Sequence, residues 1–154
     1  MRFVVASVVL AVVAIASVAC GASVAQTPQQ TVDARVEGMK KFGGAMKAAS
    51  QAPTPAEAKV KLAEAIAFSE SIVSRFPKGT GIGDSGVTKS RALQDIWAKP
   101  AEFKAAADAM TATLKSIDAA LGVADKAKID AAFAEVGRSC GGCHKMFRGP
   151  EVSE

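Results

Sequence analysis

A five-residue motif near the C-terminus, Cys140-Gly141-Gly142-Cys143-His144, constrains this chain more than any other part of the sequence. Two thiols three positions apart can add to the two vinyl groups of one porphyrin, and the neighbouring imidazole can then bind the iron as an axial ligand. Cys-x-x-Cys-His is therefore typical of c-type haem attachment. We expect one covalently attached haem c, with Cys140 and Cys143 as its thioether links and His144 as an iron ligand.

The same two cysteines could also form a redox disulfide or half of a zinc site. A structural zinc site needs four ligands, but His144 is the only histidine, and the third cysteine, Cys20, lies in a segment expected to be removed. A thioredoxin-like dithiol would require a βαβ pattern around it, and no stretch after residue 25 alternates with a period of two for long enough to be a strand. Haem attachment is the stronger interpretation.

The N-terminal segment has the composition of an export signal. Arg2 precedes an almost unbroken apolar run over residues 3–18, and small residues continue to Ala25. This pattern predicts a signal peptide over residues 1–25 and a mature domain over residues 26–154. A retained membrane anchor, or a lipoprotein modified at Cys20, is the alternative. Because bacteria attach haem to this motif on the outer face of the membrane, we expect a periplasmic protein with no stable membrane insertion after cleavage.

The charge of the chain is mildly basic, with 19 Lys and Arg against 15 Asp and Glu and a formal net charge of +4. These cations are spread along the sequence, whereas nucleic-acid binding would show them clustered on one segment or face. We therefore expect no nucleic-acid partner. A small positive charge is compatible with weak steering towards an acidic redox partner protein.

Apolar residues recur at steps of three and four in four segments, which is the spacing of one helical face. The sequence predicts helices over residues 30–50, 54–76, 100–122 and 125–148, with Gly122 as the C-terminal stop of the third helix. In the second, Thr54, Pro55 and Glu57 have the order of an N-cap, a first helical residue and a capping-box partner. The connection over residues 77–96 is rich in turn residues and longer than usual, and Ile96 and Trp97 are expected to anchor it.

The fourth helix carries the most informative pattern. Its apolar stripe includes both cysteines of the motif, at steps of four and three: Ile129, Phe133, Val136, Cys140, Cys143 and Phe147. Four striped helices predict an all-α, antiparallel four-helix bundle. The cysteines on the core-facing stripe place the haem inside the bundle, near the C-terminal helix.

Five segments in this order resemble the class II cytochromes c, the cytochrome c-prime family, across nearly all of the mature sequence. They are Arg35–Gly43, Phe76–Gly79, Ala92–Trp97, Pro100–Phe103 and Cys140–Arg148. The first resembles the family's Arg-x-x-x-Met-Lys-x-x-Gly opening. The resemblance implies a left-handed four-helix bundle with one haem c between its helices, often assembled as a homodimer.

The family contains two functional kinds, and the position that separates them matches Met39. In one kind, an apolar residue blocks the distal side of the haem, and the high-spin iron binds small gases. In the other, a methionine of the first helix ligates the iron, giving a low-spin electron carrier. A thioether is a soft ligand that raises the haem potential, but a methionine on a helix stripe usually only fills the core. Met46 and Met110 lie on core faces as well.

We expect the second kind: an exported monohaem electron carrier, not an enzyme, with His144 and Met39 as axial ligands. The alternative is a high-spin protein that binds NO or CO at an open distal face. The resemblance also implies that Arg35 lies near the haem edge and that Arg148 lies by the proximal face, where it can reach a propionate. Plain surface charge is the alternative for Arg35, and a solvated cation at the helix end is the alternative for Arg148.

Overall fold

The computed structural model describes residues 25–151, so that nearly all of the predicted signal peptide, including Cys20, lies outside the described residues. Four long helices make up the bundle: α1 (Pro28–Ser50), α2 (Pro55–Glu70), α4 (Pro100–Val123) and α5 (Lys126–Phe147). A one-turn helix, α3 (Asp95–Ala98), precedes α4. Within residues 25–151 the only β-structure is an isolated antiparallel bridge between Ala92 and Arg148. The all-α prediction is confirmed.

Side-chain caps determine where three of the helices begin. Thr27 starts α1 with a capping box, because its hydroxyl accepts from Gln30 N at 3.2 Å and Gln30 Oε1 accepts from Thr27 N at 2.8 Å. Thr54 Oγ1 accepts from Glu57 N, and Asp125 Oδ1 accepts from Lys128 N, each at 3.2 Å. The sequence predicted the caps of α2 and α5 but placed the start of α1 slightly late. Of the capping box predicted for α2, the hydrogen bond from Glu57 N to Thr54 Oγ1 forms.

The order in which the four long helices pack on one another separates α1 from α5. Helix α1 packs on α2, α2 on α4, and α4 on α5, while the backbones of α1 and α5 hardly approach each other. Residues 51–54 and 124–125 are tight connections, so the helices that they join run antiparallel. The N-terminal half of α1 therefore lies at the same end of the bundle as the C-terminal end of α5.

Two apolar clusters stabilise this arrangement. The larger one joins α1, α2 and α4, and consists of Phe42, Met46, Ala49, Ala58, Leu62, Ala65, Met110, Leu114, Ile117 and Leu121. The smaller one lies at the end of the bundle where α5 terminates, and consists of Ile72, Ala92, Ile96, Phe103, Ala107 and Phe147. Trp97 packs against the smaller cluster and donates from Nε1 to Phe76 O at 2.9 Å. The expected anchoring of the long connection by Ile96 and Trp97 is confirmed.

Two predicted helix ends are wrong. Helix α2 stops at Glu70 rather than Phe76, and a single 3₁₀ turn, Val73–Arg75, follows it. The hydroxyls of Ser69 and Ser71 donate to backbone carbonyls three residues earlier, each at 2.7 Å, and such local bonds compete with the regular helix pattern. Val73, predicted on the apolar face, is 43% exposed.

The end of α4 also differs from the prediction, because the helix passes Gly122 and reaches Val123. Ala124 then takes the left-handed conformation, with φ of 52°, that we expected near Gly122. The left-handed conformation is sterically strained for a residue with a Cβ, and it is unstrained for glycine. The turn into α5, rather than Gly122, therefore determines where α4 ends.

We expect Ala124→Gly to raise the free energy of unfolding by about 0.5–1 kcal/mol, since it relieves the left-handed strain at some cost in unfolded-chain entropy. Gly122→Ala should raise it by up to about 1 kcal/mol as well, because Gly122 is an exposed residue in the last turn of α4 whose Cβ would meet only Lys59 Nζ, at 3.5 Å. Urea unfolding followed by circular dichroism measures both. A lower midpoint for Ala124→Gly would contradict the assignment of strain.

No helix within residues 25–151 is both long enough and apolar enough to cross a bilayer.

Candidate functional site

The two cysteines of the motif lie in the last turns of α5 and are free, half-buried thiols. Cys140 packs against the larger apolar cluster and Cys143 against the smaller one. Burial raises the pKa of both thiols, and the proximity of Cys140 raises that of Cys143 further. Redox-active dithiols depend on a lowered thiol pKa. The environment of these thiols therefore does not favour the redox-disulfide interpretation.

His144 follows on the adjacent strip of α5 and is exposed to solvent. Desolvation of the ring lowers its pKa, and the positive charges of Arg148 and Arg91 lower it further. A lowered pKa favours the neutral imidazole, which is the form that ligates a metal. Desolvation and the two neighbouring positive charges thus favour the protonation state that iron binding by His144 would require.

Met39 is half-buried on α1 and packs against the same smaller cluster as Cys143. Its two predicted rivals lie elsewhere, because Met46 and Met110 are 8% and 5% exposed within the larger cluster. Met146 is 45% exposed on the outside of α5. Of these methionines, Met39 is therefore the one that shares an apolar cluster with the thiol next to His144.

Arg35 is buried, with 5% of its surface exposed, so the surface-charge interpretation of this residue is wrong. Nη1 donates to Thr80 Oγ1 at 3.0 Å, and Nη2 donates to Thr80 O at 3.1 Å and to Ser90 Oγ at 3.2 Å. The guanidinium also lies 4.2 Å from the centroid of the Phe76 ring. Desolvation lowers its pKa to about 10, which still leaves it charged at neutral pH.

Arg148 lies four residues after His144, but it does not continue the same helical strip. It is the C-cap of α5, in extended conformation with φ of −116° and ψ of 118°, and its side chain is exposed. Its backbone N–H donates to His144 O at 3.0 Å. The four-residue spacing therefore does not determine where its guanidinium points, although the charge acts on the His144 ring.

Sequence reasoning missed Thr80 and Ser90, which are the partners of Arg35, and Arg91, whose charge acts on His144. Thr80 and Ser90 are buried at 3% and 5% exposure, yet they lie in a segment whose composition indicates only turns. Arg91 donates from Nε to Gly149 O at 2.9 Å. Nothing in the local sequence distinguishes these side chains from solvated loop residues, because their partners lie far away along the chain.

The residues around the motif fit a haem attached to α5. Gly137, Gly141 and His144 follow each other at steps of four and three, and a Cβ added at either glycine would meet no atom within 4 Å. The strip of α5 beside the cysteines therefore carries no side chains at Gly137 and Gly141, over the two turns before His144. On α1, a Cβ at Gly43, one turn after Met39, would also meet nothing. A porphyrin could therefore lie against either surface without steric hindrance from side chains.

The geometry also distinguishes a haem from a bare metal ion. In residues 25–151, no three His, Cys, Asp or Glu side chains are arranged to hold a metal ion together. A c-type haem does not require this, because the thiols bond to the rim of the porphyrin while the imidazole reaches its centre. Two surface grooves of about 380 and 460 Å³ lie between α2 and α4 and between α1 and α2. Neither is lined by Met39 or by the motif.

A helical bundle with a Cys-x-x-Cys-His motif at the end of its last helix defines a c-type cytochrome of the bundle class. The family model described as Cytochrome C' matches residues 30–148. The cytochrome c' of Pararhodospirillum photometricum is 38% identical over 128 residues, which cover 79% of this chain and 98% of that protein. The chain belongs to the cytochrome c' family, which carries covalently attached haem c.

Solved structures agree with this assignment. The crystal structure of cytochrome c' from Rubrivivax gelatinosus matches with a TM-score of 0.68 at 29% identity, covering 80% of this chain and 98% of that one. A nitric oxide complex of a variant of cytochrome c prime from Alcaligenes xylosoxidans matches with the same TM-score and coverage at 27% identity. The predicted four-helix bundle is confirmed by these neighbours.

Proposed function

We propose that this protein binds a diatomic gas, nitric oxide or carbon monoxide, at its haem iron on the face opposite His144. The observation that carries the proposal is the match of the whole bundle to a cytochrome c prime solved as a nitric oxide complex. This reverses the order of the two functions that the sequence suggested, where the electron carrier came first. The apolar surroundings of Met39 suit a neutral ligand.

The chain's own residues have distinct roles in this proposal. Cys140 and Cys143 would hold the porphyrin by thioether bonds, and the neutral ring of His144 would bind its iron. The positive charge of Arg148 lowers the pKa of His144. Arg148 is also the candidate contact for a haem propionate. The haem supplies the iron at which the gas binds.

Met39 has the role of limiting access to the distal side. Its side chain is half-buried against the smaller cluster, so its contacts with that cluster restrict its movement. An apolar thioether in this position would exclude water from the distal face and leave the iron open to a small neutral ligand.

An electron carrier with Met39 as the sixth ligand is the second candidate. It is favoured by the packing of Met39 and Cys143 against one cluster, since this brings the thioether to the region of the haem rim. Met/His ligation raises the potential of the iron towards that of electron-transfer cytochromes. In this case the protein cycles between Fe(III) and Fe(II) with an acidic redox partner and makes or breaks no substrate bond.

The ferric absorption spectrum and carbon monoxide binding distinguish the two functions. Gas binding predicts a high-spin charge-transfer band in the wild type, rapid CO binding to the ferrous form, and little change of spin state in Met39→Ala. Met146→Ala is the matched control, because Met146 is exposed on α5. The weak long-wavelength band of methionine–iron ligation in the wild type, lost in Met39→Ala, would instead establish the electron carrier.

The cellular location and the oligomeric state are inferred from the same family assignment. We infer that residues 1–25 are removed on export, that the mature chain acts in the periplasm, and that it pairs as a homodimer in the manner implied by the family resemblance. Mass spectrometry of the purified holoprotein would show a chain beginning at Gln26. Sedimentation of the same sample would distinguish monomer from dimer.

A further inference from the structure

The two helices that bear the proposed axial positions share apolar clusters, but their polar contacts run through a loop. Within residues 25–151, no hydrogen bond or ion pair joins a side chain or backbone group of α1 to one of α5. The segment over residues 77–94, which we call the strap, bonds to both helix ends. Its contacts are therefore the polar connection between the helix of Met39 and the helix of His144.

On the α5 side the strap is bonded mainly through its backbone. Leu93 N donates to Phe147 O at 3.0 Å, and Gly149 N donates to Arg91 O at 2.7 Å. Arg91 Nε returns a bond to Gly149 O. A Cβ at Gly149 would lie 2.8 Å from Ile82 Cδ1, so glycine lets the chain pass close to the strap. This attachment lies three to five residues after His144.

On the α1 side the strap is bonded through two side chains of the helix. Gln29 Oε1 accepts from the backbone N–H groups of Thr88 and Lys89 at 2.7 and 3.2 Å. Arg35 makes the buried contact, with three donated bonds to Thr80 and Ser90. Hydrogen bonds from a charged guanidinium are stronger than neutral ones, and its planar fork fixes their direction. Arg35 is thus the principal anchor on this side.

We propose that Arg35 is a positioning residue for the distal side of the haem. By holding Thr80 and Ser90 it fixes the strap, and through the strap it sets the separation between Met39, one helical turn further along α1, and His144 near the end of α5. The inference rests on the proposed haem site, because it assigns to Arg35 an effect on the distance across that site. It differs from a direct contact of Arg35 with the haem edge.

The burial of Arg35 supports a role through the strap. With 5% of its surface exposed, the side chain is enclosed by the residues that it binds. Ser90 Oγ completes the network, since it donates to Thr80 O at 3.0 Å and accepts from Ala92 N at 3.2 Å. Ala92 belongs to the smaller cluster that both Met39 and Cys143 contact. A change at Ser90 removes one of the three bonds of Arg35 but keeps the guanidinium and its two bonds to Thr80.

The test compares Arg35→Gln with Ser90→Ala in the holoprotein, and uses Ser85→Ala as the control, because Ser85 is exposed in the same strap. We expect both test variants to shift the ferric spectrum and the CO association rate in the same direction, with Ser85→Ala unchanged. Tryptic cleavage after Lys78 and Lys89 should become about tenfold faster in the test variants, since cleavage follows the population of the opened strap.

Two results would overturn the inference. If Arg35→Gln changes the haem spectrum while Ser90→Ala leaves it as in the wild type, Arg35 acts by direct contact. If both variants speed cleavage but leave the spectrum and CO kinetics unchanged, the strap is only structural. A wild type that binds no CO would refute the proposed function instead, and the ferric spectrum would still report whether the strap affects the axial ligands.

Discussion

The double substitution Cys140→Ala/Cys143→Ala is expected to give a protein without covalently bound haem. Each thiol supplies one bond to the porphyrin, and among residues 25–151 there is no other cysteine to replace them. Acid–acetone treatment extracts haem that is held only by coordination, so the protein fraction should lose essentially all of its haem absorbance. A mass spectrum of the intact chain should show the same loss.

Gly142→Ala is the matched control for this experiment. Gly142 lies between the two cysteines, and a Cβ there would meet no atom within 4 Å. The variant should keep its acid-stable haem and gain about 1 kcal/mol in free energy of unfolding, since alanine is the better helix residue. The single variants Cys140→Ala and Cys143→Ala should each retain one thioether bond. Acid-stable haem in the double variant would show that the attachment site lies elsewhere.

Helix α4 shows how far the periodicity of the sequence can be relied on. All six residues of its predicted stripe are buried, with 5% or less exposed: Phe103, Ala107, Met110, Leu114, Ile117 and Leu121. This helix packs on α2 and on α5, so its apolar face is covered from both sides. Where neighbours enclose a helix in this way, the apolar pattern is sufficient to identify the core.

Helix α5 shows where the same reasoning stops. Of its predicted stripe only Phe147 is buried, while Cys140 and Cys143 are half-buried. A stripe indicates which face of a helix points inwards, but it carries no information on how closely a neighbouring helix approaches. The separation of α1 from α5 is a property of the whole bundle. The motif could therefore be identified from the sequence, whereas its degree of enclosure could not.

The environment of Arg35 was unpredictable for a different reason. Its hydrogen-bond partners lie 45 and 55 residues away along the chain, in a segment that looks like an ordinary turn-rich connection. Local composition cannot indicate that Thr80 and Ser90 are buried acceptors. The family resemblance placed Arg35 near the site, and the structure adds the strap through which we propose that it acts.

Phe147→Ala is the substitution from which we expect the largest loss of stability at the site. Phe147 is 4% exposed and packs edge-on against Phe103, with 5.2 Å between ring centroids. Phe103 in turn packs on Phe76 at 5.0 Å, so the ring closes a row of three aromatics at the end of α5. Removing such a buried ring costs about 3–5 kcal/mol, a large part of the roughly 5–15 kcal/mol that stabilises a domain.

The neighbouring residue provides the control, because Met146 is 45% exposed in the same turn of α5. Urea unfolding of the holoproteins, followed by circular dichroism, should place Met146→Ala within about 0.5 kcal/mol of the wild type, and Phe147→Leu between the two alanine variants. A Phe147→Ala midpoint close to that of Met146→Ala would contradict the packing. Phe147 lies three residues after His144, and its backbone carbonyl accepts from Leu93 N of the strap at 3.0 Å. Because its ring packs against Phe103, it stabilises the end of the helix that carries the proposed iron ligand.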